Sequence, residues 1–221
     1  MIKQLIDTYF AKYYKLSRVR FIDEHHTTEK SFDIKERGNA AIAEFGGGSA
    51  SFDNEVQRDI AVLDYEGYID KYVGTVFHAG RLKCDYILES ETGTTVIFDE
   101  ITSSVSGIEN LQKPIIGKKQ YPGGKFEKVE QQLFESLKTL HDVPEIAYYL
   151  DSRSKRVCLC SYKLFSSIAL SLIGDPVTAF ARGMKEAERQ GGENGVKISC
   201  PQIEALGFEY RRISHAFVYH I

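Results

Sequence analysis

Asp85 and Glu100 are the two acidic residues whose spacing most directly suggests chemistry. They lie in two runs rich in β-branched and aromatic residues, KCDYILE and TTVIFDEIT, on either side of Thr92-Gly93. Such runs around a glycine, which tolerates positive φ, are typical of a β-hairpin. With residues 92 and 93 at the centre of the turn, the residue numbers of any two directly opposite residues add up to 185. Asp85 then lies opposite Glu100, and Lys83 lies opposite Thr102, all on one face.

Two carboxylates at opposite positions repel each other unless a positive charge lies between them. Directly opposite Cβ atoms are roughly 5 Å apart, and repulsion at about 4 Å is on the order of 4 kcal/mol at an effective dielectric near 20. A divalent cation removes that cost, because Mg²⁺ is commonly held by one or two carboxylates and water. On a solvated face the repulsion would instead be screened. Burial is favoured, because Val96 and Phe98 share the face of Glu100 and Ile87 shares that of Asp85.

This hairpin resembles the PD-(D/E)XK nuclease superfamily, whose signature is an Asp on one strand and Glu-x-Lys on the next. Asp85 matches the Asp, Glu100 matches the Glu, and Thr102 stands where the family has its Lys. Lys83 is the candidate replacement, because the predicted register places its ammonium beside residue 102. The resemblance covers residues 55–163. It implies a mixed α/β (α+β) fold with a restriction-endonuclease-like core, in which helices flank a central mixed sheet.

The resemblance also implies metal-assisted hydrolysis of phosphodiester bonds in DNA or RNA, in restriction or phage defence. Asp85 and Glu100 would hold Mg²⁺ or Mn²⁺, with the carbonyl of Ile101 as a further ligand. Lys83 and Thr102 complete the predicted catalytic set. Because Thr102 replaces the family's Lys, the alternative is a catalytically inactive, nuclease-like binding or assembly module. A third hypothesis is an unrelated α/β protein with a coincidental hairpin.

The most basic segment of the chain spans residues 113–128, with five lysines and one acidic residue. Phosphate contacts are one use of such a segment, and a solvated loop has the same composition. The resemblance adds a Gln, because some nucleases of this type carry one on the helix after the Glu-x-Lys strand. The predicted nucleic-acid contacts are Lys118, Lys119, Lys125, Lys128 and Gln132.

Hydrophobic periodicity predicts the elements that position these residues. Helices are predicted over residues 2–15, 53–63, 125–140, 164–173 and 176–190. Strands are predicted as three short runs within residues 18–45, over 68–77, in the two arms of the hairpin, and over 145–151, 155–162 and the C-terminal run. From residue 53 onward this order contains the α-β-β-β-α-β order of the resembled family. That family often has a further acid on the first helix, for which Glu55 and Asp59 are candidates, although a solvated helix face is the preferred interpretation of both.

Length and composition bound the remaining hypotheses. The 221 residues, 43% hydrophobic, fit a single domain over 1–221, with a core at 53–163, an N-terminal layer at 1–52 and C-terminal elements at 164–221. The net charge of −3 requires any nucleic-acid surface to be a local basic patch. No phosphate-binding loop, dinucleotide fingerprint or hydrolase elbow is present in the sequence.

Cysteine spacing and hydropathy indicate the compartment. The four cysteines form no Cys-x-x-Cys pair, so a zinc ribbon is disfavoured and buried free thiols in a cytosolic protein are expected. No apolar run reaches 18 residues and no apolar leader is visible, so we predict a cytoplasmic protein without a membrane partner. The apolar C-terminal run is expected to dock in a sheet or an interface, and a homodimer is a further expectation.

Overall fold

A computed structural model describes residues 1–16, 21–36, 41–70, 82–90, 92, 94–104, 109–117, 120–164 and 194–221. Eleven strands occur in these ranges: β1 (Glu24–Thr27), β2 (Ser31–Ile34), β3 (Ile42–Glu44), β4 (Ala50–Asp53), β5 (Ile60–Asp64), β6 (Tyr86–Ser90), β7 (Thr95–Ser104), β8 (Lys155–Leu164), β9 (Val196–Ile198), β10 (Glu209–Ser214) and β11 (Val218–His220). The described helices are α1 (Ile2–Leu5, π-helical Ile6–Phe10, then Ala11–Tyr13), α2 (Tyr65–Tyr68), α3 (Glu109–Gln112), α4 (Gly124–His141), α5 (Pro144–Asp151) and α6 (Pro201–Glu204).

The strands form a seven-stranded mixed sheet and a four-stranded sheet. The large sheet has the order β1-β5-β6-β7-β8-β10-β9, and the small one has the order β11-β4-β2-β3. β5, β6 and β7 are an antiparallel meander, whereas β8 is parallel to β7 and β10 is parallel to β8. Parallel neighbours need a long connection, which α4 and α5 supply between β7 and β8. Helices flank this mixed sheet, so the predicted α+β fold class is confirmed.

The register of the central hairpin is as predicted within the paired segment, which begins at Tyr86, so Asp85 and Lys83 precede it. Tyr86 pairs with Asp99 and Glu89 pairs with Val96, so the paired positions sum to 185. Side chains then alternate between two apolar layers. Val96 belongs to the layer shared with α1, α4 and α5. Ile97 faces the opposite layer, which is shared with the small sheet.

The helix predicted over residues 125–140 is confirmed as α4. Its apolar stripe is fully buried against the large sheet, with Leu133, Leu137 and Leu140 inaccessible to solvent. The N-terminal helix is also confirmed, and the strand predicted over 155–162 is β8. The C-terminal run docks in the small sheet as expected, since β11 pairs with β4 and Tyr219 is buried.

Two predicted elements are wrong. Residues 53–63 are not helical, because Asp53 ends β4 and Asn54 caps a turn by accepting from the Arg58 amide at 3.0 Å. Residues 145–151 are helical, because Pro144 starts α5 and Ile146 and Leu150 are buried one turn apart.

The remaining predicted elements fall largely outside the described ranges. Of the strand predicted over 68–77, Tyr68 is helical and residues 71–77 lie outside these ranges. The helices predicted over 164–173 and 176–190 also lie outside them, apart from Leu164 at the end of β8. Of the helices that the structure describes, none is long and apolar enough to cross a membrane.

Candidate functional site

A pocket of about 270 Å³ lies where the chain enters β6 and passes the C-terminal half of β7. It brings together residues that are far apart in sequence and that were predicted as metal ligands, catalytic residues or nucleic-acid contacts. These residues are Asp85, Glu100, Ile101, Thr102, Lys125, Lys128 and Gln132. Lys118 and Lys119 lie outside the described residues.

Asp85 reaches β7 through its side chain rather than through its backbone. Its carbonyl accepts hydrogen bonds from the amides of Tyr65 and Glu66 in α2, at 3.0 and 3.1 Å. Its carboxylate Oδ2 accepts from the Ile101 amide at 2.8 Å. The carboxylate thus takes the position that a strand carbonyl would occupy in a longer β6. This bond holds the Asp85 carboxylate against β7.

Lys83 does not lie opposite Thr102, and this part of the predicted register is wrong. β6 begins at Tyr86, because the chain before it is bound by α4: the Cys84 amide donates to Ser136 Oγ at 2.7 Å. The Lys83 ammonium forms an ion pair with Asp70, and Lys83 is not among the residues lining the pocket. Thr102 does line the pocket.

Glu100 is buried, with 6% of its surface exposed, on the face of β7 that meets α4. Its Oε1 accepts from Gln132 Nε2 at 2.6 Å, while its Oε2 is buried without a hydrogen-bond partner. Burial raises the pKa of Glu100, and the negative charges of Asp85 and Glu66 raise it further against the opposing effect of Lys128. The ionised form of Glu100 is therefore costly here without a further partner.

The Asp85 carboxyl is perturbed in the same direction. Burial raises its pKa most, and the charges of Glu66 and Glu36 add to the effect, although the hydrogen bond from Ile101 opposes it. Two neighbouring carboxyls that both resist ionisation are typical of a site that binds a cation or transfers protons.

Glu36 and Glu66 line the pocket but were not predicted as site residues. Glu66 lies in the first turn of α2, where the Asp64 carboxylate caps the helix by accepting from the Gly67 amide at 2.7 Å. An Asp two residues before Glu66, in the position of a helix N-cap, is visible in the sequence and could have pointed to Glu66. The predicted candidates, Glu55 and Asp59, do not line the pocket, because the segment that carries them is not helical.

One face of α4 supplies the polar and basic side of the pocket. Lys125, Lys128 and Gln132 recur at helical spacing and all line it. The Lys125 ammonium donates to the Ser103 carbonyl at 2.6 Å. Lys128 is partly buried and lies close enough to lower the pKa of Glu100. Gln132 donates to Glu100 and to the Lys83 carbonyl, at 2.6 and 3.0 Å, so it fixes one carboxylate oxygen.

The donor set fits a hard divalent cation. Asp85 and Glu100 supply carboxylate oxygens, one of them buried without a partner. The Ile101 carbonyl points to the same strand edge as its amide, which is the edge that Asp85 occupies. Oxygen ligands suit Mg²⁺ or Mn²⁺, with water completing the coordination. In the described part of the chain, no three His, Cys, Asp or Glu side chains group closely enough to hold a metal by themselves.

Neither known protein families, nor curated proteins, nor solved structures gave a match to this chain. Its function is therefore inferred from the geometry of the pocket.

Proposed function

We propose that this protein is a metal-dependent phosphodiesterase that hydrolyses DNA or RNA at the Asp85–Glu100 pocket, with Mg²⁺ or Mn²⁺ as its cofactor. One observation carries the proposal: two carboxyls with raised pKa share a pocket with Lys125 and Lys128. Carboxylates attract a divalent cation and ammonium groups attract phosphate, and a nuclease needs both. The antiparallel meander, the crossover through α4 and the parallel β8 also support the resemblance to PD-(D/E)XK nucleases.

Asp85, Glu100 and the Ile101 carbonyl would hold the cation. When bound, a divalent cation neutralises charge on the phosphate and makes its bound water more acidic. Gln132 orients Glu100 by binding Oε1, which leaves Oε2 for another partner. In the reaction a water oxygen bonds to phosphorus and gives up a proton to solvent, while the bond to the leaving oxygen breaks and that oxygen takes up a proton.

Lys128 takes the role for which Lys83 was predicted. It lines the pocket beside Glu100, whereas the Lys83 ammonium is directed to Asp70. A positive charge held near the scissile phosphate stabilises the charge that develops in the transition state.

A catalytically inactive module is the second candidate. Thr102 lines the pocket where the resembled family has its Lys, and the described residues form no metal site of three side chains. Such a module would bind nucleic acid without cutting it. We place either form in the cytoplasm, because all four cysteines are free and three of them are buried.

The first test is a melting experiment. Millimolar Mn²⁺ should raise the melting temperature of the wild-type protein, because a ligand that binds only the folded state stabilises it. Asp85→Asn should abolish the shift. An unchanged wild-type melting curve would refute the metal site.

The second test is cleavage of single- and double-stranded DNA and RNA with Mn²⁺. Lys128→Ala should lower the rate on the order of a hundredfold, as loss of one preorganised charge typically does. Lys138→Ala is the matched control, since Lys138 is exposed on α4 and does not line the pocket. Lys83→Ala should retain most activity, and a large loss would return the catalytic role to Lys83. Metal and nucleic-acid binding without cleavage, with activity gained in Thr102→Lys, would identify the inactive module.

A further inference from the structure

A second pocket, of about 480 Å³, lies at the end of the large sheet where β8 and β10 begin. Three basic side chains line it, from Lys155, Arg156 and Lys197, and we call it the basic pocket. The proposed phosphodiesterase mechanism uses none of these residues.

The basic pocket is separate from the Asp85–Glu100 pocket. Thr102 lines the latter and pairs with Tyr162 of β8. Lys155 begins β8, seven residues before Tyr162. At about 3.3 Å per residue these two positions on the strand are roughly 23 Å apart. A small ligand in the basic pocket is therefore out of contact with the proposed metal.

Lys155 is a half-buried cation without a carboxylate partner. Its ammonium donates to the His220 carbonyl at 2.6 Å and lies 4.9 Å from the centre of the Tyr219 ring, which fixes its position. None of the ion pairs in the described ranges includes Lys155. Burial lowers its pKa, and the charge of Arg211 lowers it further against the opposing effect of Glu209. An anion in the pocket would offset this cost.

Arg156 holds its guanidinium at the pocket through weak contacts. The guanidinium carbon lies 6.0 Å from the centre of the Phe208 ring, and Nη1 lies 3.4 Å from a carboxylate oxygen of Asp151, whose side chain is 52% exposed. An ion pair this exposed contributes little, so an anion can compete with it. An added Cβ at Gly207 would lie 2.9 Å from Nη1, so the glycine leaves room for the guanidinium. Such a group can bind two phosphate oxygens at once.

The charges around the basic pocket leave a positive excess. Its lining acids are Glu204, which is exposed, and Glu209. Two cations share Glu209, because Arg211 Nε donates to Oε1 at 2.8 Å and Lys197 Nζ lies 3.4 Å from Oε2. Lys and Arg remain ionised near neutral pH, since their ordinary pKa values are about 10.4 and above 12. With Arg211 and Asp151 included, four cations face three acids, in a chain whose net charge is −3.

We propose that the basic pocket binds the phosphate group of a small phosphate monoester. Lys155 supplies a fixed ammonium without a counter-charge, Arg156 supplies a planar pair of donors, and Lys197 adds an exposed ammonium. A phosphate monoester carries close to two negative charges at pH 7 and three terminal oxygens, so it can accept from all three groups. The volume lies within the range of about 300–1,000 Å³ that is common for small-molecule sites, which leaves space for the organic part of the ligand.

The experiment measures the melting temperature of the full chain during titration with inorganic phosphate or with AMP, in EDTA and at constant ionic strength. Both probes should raise the melting temperature, and the concentration dependence gives an apparent Kd. Arg156→Gln/Lys197→Gln should bind both probes about tenfold or more weakly, because each lost charge lies within about 8 Å of the phosphate at an effective dielectric near 20. Glu204→Gln should bind them severalfold more tightly, because it removes a lining acid.

The matched control is Lys30→Gln/Lys138→Gln, which removes two charges at exposed positions that do not line the basic pocket. It should keep the wild-type affinity, and melting curves in chloride should show that each variant is folded. The single variant Lys197→Gln, at a side chain that is 60% exposed, should show part of the loss with little risk to the fold.

Three results would overturn the proposal. The first is a wild-type melting temperature that neither probe raises. The second is a control that loses as much affinity as the pocket variant. The third is a 5′-hydroxyl oligonucleotide that binds more tightly than AMP and depends equally on Arg156 and Lys197, because that result would identify a surface for the nucleic-acid backbone instead.

Discussion

Replacing Glu100 by Gln should stabilise the metal-free protein at pH 8, although the substitution removes a charge from the proposed metal site. Glu100 is buried, and burial raises its pKa, with the nearby Asp85 and Glu66 adding to the effect. The folded state therefore favours the protonated carboxyl, which Gln imitates in shape and charge. The unfolded chain has no such preference.

The sign of the pH dependence follows from this shift. The pKa of Glu in the unfolded chain is about 4.3. When the pKa of a group is higher in the folded protein than in the unfolded chain, the free energy of unfolding falls as the pH rises from the lower pKa to the higher one. Wild-type protein should therefore lose stability over that window, and Glu100→Gln should lose less of it. The difference between the two proteins should be largest at pH 8 and small near pH 4 to 5.

Removing the charge of Glu100 relieves the cost of burying it and its repulsion by Asp85, and it weakens one hydrogen bond. Repulsion between Asp85 and Glu100 is about 3 kcal/mol, taking roughly 5 Å and an effective dielectric near 20. The hydrogen bond from Gln132 weakens by about 1 kcal/mol when its acceptor becomes neutral. The expected net gain is about 1–3 kcal/mol, and each kcal/mol raises the melting temperature by roughly 2–4 °C in a protein of this size.

Urea unfolding in EDTA at pH 5 and pH 8, followed by circular dichroism, measures the effect. Glu135→Gln is the control, because Glu135 lies on α4, does not line the pocket and should change stability by less than about 0.5 kcal/mol. Adding Mn²⁺ should stabilise wild type more than Glu100→Gln. A Glu100→Gln protein that is less stable than wild type at pH 8 in EDTA would refute the reasoning.

Three further predictions concern stability. Gln132→Ala should cost about 1–3 kcal/mol in urea unfolding, because it removes the donor to Glu100; an unchanged midpoint would contradict this. Gly124→Ala should lower the melting temperature and cost about 1–3 kcal/mol of stability. The reason is that Gly124 has φ +73° and an added Cβ would lie 2.5 Å from a backbone oxygen. The control Gly123→Ala, at φ −81°, should cost much less. Burial raises the pKa of Asp99 to about 7, so Asp99→Asn should gain stability relative to wild type between about pH 4 and pH 7, and equal pH profiles would show otherwise.

The sequence determined the hairpin and the long helix, because both depend on neighbouring residues. Alternation around Thr92-Gly93 set the register of β6 against β7. The stripe of apolar residues at steps of three and four set α4. These two elements also placed the Glu100 side chain on the face that meets Gln132, which is why much of the pocket could be anticipated.

Shorter apolar segments were ambiguous, and their neighbours decided them. The run at 145–151 reads as a strand by composition, yet it is α5, because the core buries Ile146 and Leu150 one helical turn apart. Residues 53–63 have apolar positions at helical spacing, yet β5 forms because residues 60–63 pair with both β1 and β6. Pairing with distant strands is invisible to local periodicity.

Only the tertiary structure decided where β6 begins and which charges enter the pocket. The hydrogen bond from the Cys84 amide to Ser136 joins positions 52 residues apart and removes Lys83 from the ladder. Glu36 likewise reaches the pocket because the Tyr86 hydroxyl binds the backbone of the preceding residue, 51 positions away. The pairing of such distant groups depends on how the sheet, α2 and α4 pack together. A periodic pattern in the sequence cannot predict this pairing, because such a pattern reflects only neighbouring residues.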